Sequence, residues 1–298
     1  MLIRTLLLLS CFSAAPLMAF DWEASLDAVG GYRYDTLSTE IYVDLPEGTR
    51  FGTDNLRGRN LSVFEVGFKG EVLLGQNWFV RFDGETGYFD HGRYYDQQVF
   101  AGVRSESKAL IKDGNTLDGT IAGGYVFCFH PNFLIGPVVG WSYDSQRINM
   151  SHATSDGIAD TTLDGLNYKM WWQGPFLGLE THFYFIGLAI TAAYEFHFSD
   201  WHAKWTLAGP DVFGGSFSDV RHASNSYGSV VFVDATYRMC GWLDLGMGMK
   251  YQNYWAWKGR VTPQAGSFAA IGDPAESARI HNATWRSIEF TLRAGVHF

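Results

Sequence analysis

Between Trp285 and Phe298 the side chains sort into two rows. Beyond Arg286, one row reads Ile288, Phe290, Leu292, Ala294, Val296 and Phe298. The other reads Trp285, Ser287, Glu289, Thr291, Arg293, Gly295 and His297. Successive side chains of a strand point to opposite faces, so this spacing predicts a strand that is apolar on one face and charged on the other. The same rhythm runs through residues 22–34, 64–74 and 78–88, where Trp78, Val80, Phe82, Thr86 and Tyr88 oppose Arg81, Asp83 and Glu85. It returns over about 117–129, 133–147, 170–184, 187–198, 228–239 and 242–256. With the closing segment this predicts about ten strands.

The connections alternate in length. Four are very short, at Gly75-Gln76-Asn77, His130-Pro131-Asn132, near residue 186 and at Cys240-Gly241. Five are long, over about 35–59, 91–116, 148–169, 199–226 and 257–283. Tight turns at one end and long loops at the other, on strands with one apolar face, predict an all-β fold: a transmembrane antiparallel β-barrel with long external loops. A soluble sandwich would turn its apolar rows inward. Here the other row carries Glu, Asp, Lys and Arg on strand after strand, which suits a polar lumen whose charges must pair. The closing aromatic strand resembles the one that barrel-assembly machinery reads.

Composition narrows the choice. Charged residues are 18% and aromatics 16%, with 34 Gly, a balance that suits aromatic girdles and curved strands. Mean hydropathy is -0.07, too polar for a bundle of membrane helices, and no uncharged run of about 20 apolar residues follows the N-terminus. The net charge of -9 argues against nucleic-acid partners. Arg4, the run Leu6 to Leu9 and the small residue of Leu17-Met18-Ala19 read as an export signal over 1–19, leaving residues 20–298 as one barrel domain that begins near Phe20. Cys128 and Cys240 then remain, on strands that are not neighbours. They are expected as free thiols or cross-links to other envelope proteins, and neither a cofactor nor a metal is expected. The tryptophans at strand ends, Trp171, Trp172, Trp201, Trp205, Trp255, Trp257 and Trp285, are expected in the interface girdles.

Two clusters sit at predicted loop roots: Phe89 to Gln98, and Ser199-Asp200-Trp201-His202. Asp and His two apart share one strand face, so Asp200 can orient His202 as a general base. The plain alternative is that loop roots are wet and therefore rich in Asp and His. Gly92-Arg93-Tyr94-Tyr95-Asp96-Gln97-Gln98, Asp200-x-His202, Gly140 to Arg147, Asn167-Tyr168-Lys169 and Gly174 to Leu179 together resemble the omptins, ten-stranded outer-membrane aspartate endopeptidases. That resemblance implies catalysis by Asp96, Asp200 and His202, with Gln98 or Asp90 as the fourth member. Gln98 stands where the family has its second acid, and it cannot ionise.

Asn55-Leu56-Arg57, Tyr194-Glu195-Phe196, Trp201 to Trp205, Phe217 to Ala223 and Asn282 to Trp285 resemble the Protochlamydia outer membrane proteins more closely. This implies an abundant surface or porin-like protein. It also recasts His202 as a packing residue, with Arg221-His222 on the return strand pairing with Asp200. The expectation is a non-catalytic outer-membrane surface barrel, porin-like or adhesin-like, and the alternative is an omptin-like endopeptidase acting at the extracellular mouth. The expected partners are outer-membrane lipid, the barrel-assembly machinery, and a host surface or peptide substrate.

Overall fold

The computed structural model describes residues 22–44, 50–75, 77–100, 102–155, 158–159, 165–207, 217–263 and 278–298. The export signal at 1–19 and the start near Phe20 lie outside them. The strands are β1 (Trp22–Asp44), β2 (Arg50–Leu74), β3 (Trp78–Phe100), β4 (Val103–Tyr125), β5 (Phe127–His130), β6 (Phe133–Ser155), β7 (Ile158–Ala159), β8 (Leu166–Phe185), β9 (Leu188–Leu207), β10 (Phe217–Arg238), β11 (Leu243–Pro263) and β12 (Ala278–His297). β5 continues the line of β4 past Val126, and β7 is a two-residue pairing with β6. The ten long strands each pair antiparallel with the next, β4 with β6, and β1 with both β2 and β12. The sheet therefore closes, and closure removes the exposed edges an open sheet would leave. Gly75 (φ 66°) and Gly187 (φ 73°) take left-handed conformations in two of the tight turns, where a side chain would be strained.

The outward row is apolar at the turn end, as the alternation predicts. Leu26, Phe68, Val80, Ile121, Leu179, Val233, Met247, Phe290 and Leu292 are all exposed there. On β3 the band runs from Trp78 to Tyr88, both exposed aromatics. Ten residues at ~3.3 Å each, on a strand tilted by about 40°, give a height of about 25 Å, the thickness of the apolar band of an outer-membrane barrel. Leu292 lies mid-band and is 70% exposed. Leu292→Arg is expected to cost about 2–4 kcal/mol in lipid, whereas Thr284→Arg, opposite Trp255 at the outer girdle, should cost no more than about 1 kcal/mol. Urea unfolding of the two variants in the same bilayer checks this; equal costs would misplace the band.

The strands do not stop at the outer girdle. Much of each expected long loop is strand: β1 reaches Asp44 and β2 starts at Arg50, where the alternation predicts a loop over 35–59, and strand enters the other four from both sides. On β3 the twelve residues beyond Tyr88, up to Phe100, carry the wall about 30 Å beyond the band. The cause of the difference is an inversion of the pattern. Above the girdle the outer face meets water, so Arg93, Tyr95 and Gln97 face out while Tyr94 and Asp96 face in. The signal that marks a membrane strand, a greasy outward row, ends where the lipid ends.

β-Bulges set the new parity. Asn60 (φ 52°) adds a residue to β2, Asp90 adds one to β3, and the register of β10 shifts between Ala223 and Ser226. Below Asp90, odd residues of β3 point inward; above it, even ones do. A bulge leaves one residue unpaired and so flips every later side chain to the other face.

Candidate functional site

At membrane level the lumen is an ion-pair lattice. Arg33, fully buried, meets Asp35 at 3.1 Å and Glu65 at 2.7 Å and also bonds Asp118. Lys250 lies 2.8 Å from Glu289 and 3.3 Å from Glu85. Arg81 bridges Glu180 and Glu195, and Glu195 also meets His197 at 3.0 Å. Toward the turn end this lattice opens into a cavity of about 220 Å³ whose lining includes Lys69, Arg81, Asp234 and Arg293.

Above the lattice the lumen turns apolar. Trp172, Trp201 and Trp285 lie 0–1% exposed, packed with Tyr94, Tyr168, Tyr254, Leu37, Leu61, Ile148 and Leu166. Tyr254 stacks on Trp285 at 5.4 Å, and Trp172 contacts both Tyr254 (5.4 Å) and Trp201 (5.8 Å). The Arg33 guanidinium lies 5.5 Å from the Trp285 ring, so the lattice and the apolar layer are continuous. This corrects the girdle assignment for four tryptophans, since Trp205, at an odd and therefore inward position of β9, also packs against this layer. Trp172, Trp201 and Trp285 are interior because they stand at inward positions of β8, β9 and β12 above the lipid. Trp255 and Trp257 face outward beside Tyr227, as a girdle requires.

The candidate catalytic residues separate. Asp96 faces inward at the mouth, where Gln98 Nε2 donates a hydrogen bond to its Oδ2 at 2.9 Å. Asp54, from the neighbouring β2, faces it; Asp54 pairs in register with Gln98 and Leu56 with Asp96. Burial, and then the facing Asp54, hold the Asp96 carboxyl well above the usual carboxylate range, with Gln98 and Arg221 opposing. Sequence spacing missed Asp54, because only the β2–β3 register brings it to Asp96. Asp90, the bulge residue, points outward and pairs with His91 at 3.0 Å.

Asp200 and His202 are on the other face. Inward positions of β9 are odd, Glu195, His197, Ser199, Trp201 and Ala203, so the even residues Asp200 and His202 lie on the outer wall. Asp200 Oδ2 lies 2.8 Å from His202 Nε2, the orienting bond that the spacing predicts. Its Oδ1 lies 2.6 Å from His222 Nε2, the pairing expected from the return strand. Arg221 turns inward over the Trp205 ring. Thus Asp96 and the Asp200–His202 pair occupy opposite faces of the wall, on β3 and β9, with β4, β6 and β8 between them.

The raised Asp96 carboxyl makes a pH prediction. A proton that the folded state holds and the unfolded state releases makes stability fall as pH rises through the folded-state value. Asp96→Asn should match the parent at acid pH and become progressively more stable than it above that range. Urea midpoints across a pH series check this; a difference independent of pH would contradict it.

Cys128 and Cys240 are both exposed and form no bridge with each other. No curated protein matches the sequence. Among solved structures, the chain is similar to outer membrane protease OmpT from Escherichia coli, with a TM-score of 0.62, 13% identity, 95% of this chain covered and 99% of that one. Weaker likenesses include the translocator domain of autotransporter NalP from Neisseria meningitidis (TM-score 0.35, 9% identity, 99% and 94% covered) and the outer membrane protein OprG from Pseudomonas aeruginosa (0.33, 10%, 93% and 95%). At such identities the likeness to OmpT is one of fold. The family model described as Protochlamydia outer membrane protein matches residues 28–298, and the chain belongs to that outer-membrane family.

Proposed function

We propose that this outer-membrane barrel is sealed and non-catalytic, and that it works through the tall collar and loops it raises above the lipid, as an adhesin-like surface protein. The observation that carries the reading is the apolar layer around Trp172, Trp201 and Trp285, which fills the lumen above the ion-pair lattice. A water-filled pore would have polar walls at that level. The outer wall of the collar is basic in a chain of net charge -9: Arg57, Arg59, Arg93, Arg147, Lys169, Lys204, Arg260, Arg279 and Arg286 are all exposed. Such a belt supports contact with anionic headgroups of the outer leaflet. The charged-inward, apolar-outward alternation of β12 supports recognition by the barrel-assembly machinery. The refolded barrel, immobilised, should retain host-cell surface material. A barrel shortened in its five outer connections should not. Equal retention by both would overturn the surface role.

A second reading, the omptin-like endopeptidase, is favoured by one observation, the Asp54–Asp96 carboxyl pair at the mouth. It would need Asp200 and His202 on the inner face, and they stand on the outer one. Peptide cleavage by the refolded barrel, lost in both Asp96→Asn and His202→Ala, would establish it.

A further inference from the structure

Asp200, His202 and His222 make a constellation that neither the lattice nor the apolar layer uses. Asp200 and His202 are two apart on β9, and His222 of β10 lies directly opposite His202 in the register. Residues i and i+2 of one strand and the residue opposite on the next are close neighbours on one face of a sheet. Along the chain, 20 positions separate the two histidines, so no sequence spacing announces them.

The three side chains converge. Both Nε2 atoms address one carboxylate, one at each oxygen, at 2.8 and 2.6 Å. The candidate ligand atoms all lie within 4.8 Å of one another. The imidazoles stack on each other at 4.3 Å and 16°, and Trp171 stacks behind His202 at 5.0 Å and 8°. This three-ring pile fixes the direction of the nitrogens. The carboxylate and both rings remain partly exposed, so an ion has a path in from outside.

From this we propose that Asp200, His202 and His222 form a site for a divalent transition metal of the zinc class on the outer wall of the collar. Zn–N and Zn–O bonds of about 2.0–2.2 Å at tetrahedral angles place ligand atoms roughly 3.4 Å apart. The present separations of 2.8 and 2.6 Å need to open by roughly 0.6–0.8 Å, which small χ rotations of exposed side chains supply. Two imidazoles and one carboxylate select zinc, nickel, copper or cobalt over magnesium and calcium, which take all-oxygen sets. On binding, each neutral ring carries its proton on Nδ1 and gives the Nε2 lone pair to the metal. A ring that starts as imidazolium releases one proton to solvent. Three protein ligands leave a fourth position open, and Arg260 stands opposite His222 in the β10–β11 register.

The test is calorimetric titration of the untagged, refolded full-length barrel with Zn2+, and absorption spectroscopy with Co2+. The expected result is one equivalent of Zn2+, retained in excess Mg2+, with tetrahedral Co2+ bands that Zn2+ abolishes. His222→Ala and Asp200→Asn should each weaken binding at least about 100-fold, while His281→Ala leaves it unchanged. All three variants should keep the parent's heat-modified gel shift, which shows that the barrel has formed. His222→Gln, which keeps a hydrogen-bonding group, should lose the metal as well. Absence of a saturating equivalent, displacement by Mg2+, or unchanged binding in His222→Ala would each overturn the proposal and leave a carboxylate that only hydrogen-bonds two imidazoles.

Discussion

Replacing Arg33 with Met is expected to destabilise the barrel by about 3–5 kcal/mol, the cost of leaving buried charge uncompensated. One guanidinium, fully buried, serves Asp35, Glu65 and Asp118, which come from three different strands, β1, β2 and β4. Without it three carboxylates face one another in the lumen, and they must protonate or draw in water. Arg33→Lys should recover only part of the loss, because an ammonium is a point charge and lacks the planar fork that reaches several carboxylates at once. Urea unfolding in lipid reads both variants. An Arg33→Met midpoint equal to the parent's would mean that the lattice is not holding the staves together. Lys250, set between Glu85 and Glu289, gives the same argument in the adjoining part of the lattice, where Glu65, Glu85 and Glu289 lie within 4.8 Å of one another.

The second large effect concerns the apolar layer. Trp172→Ala and Trp201→Ala are each expected to cost about 3–5 kcal/mol, because each removes a buried indole and leaves a void that the rigid wall cannot close. The two rings are 5.8 Å apart, so the double variant should depart from additivity. The double variant should also gain something the parent lacks, a water path between the mouth and the turn-end cavity. Steady ion conductance in the double variant, with the barrel still folded by gel shift, is the expected outcome. A folded double variant that stays closed would place the seal elsewhere.

The membrane half of the molecule was legible because a single rule governs it. Lipid demands an apolar outer row, and the rows ending in Phe290, Leu292 and Val296 carry that demand openly. The collar was not legible for the same reason: once the outside is water, the outer row becomes polar and the inner row becomes apolar. Trp285 stands at the change. It continues the charged row of Glu289 and Arg293, and by position alone it reads as a girdle residue. The structure buries it in the lumen. The Asp200–His202 bond was legible from its i, i+2 spacing, but its face was not, since the face depends on parity carried up the strand from the lipid band. Asp54 beside Asp96 depends on pairing between strands, which single-chain spacing does not record; the approach of His222 to Asp200 was legible only through the family resemblance.

The sealed lumen is the claim on which the surface role rests. Single-channel recording of the wild-type barrel in a planar bilayer tests it most directly. The sealed lumen predicts a flat baseline, with no open steps that scale with protein added. Reproducible, long-lived conductance steps from the folded wild-type chain would contradict it and would make the protein a pore.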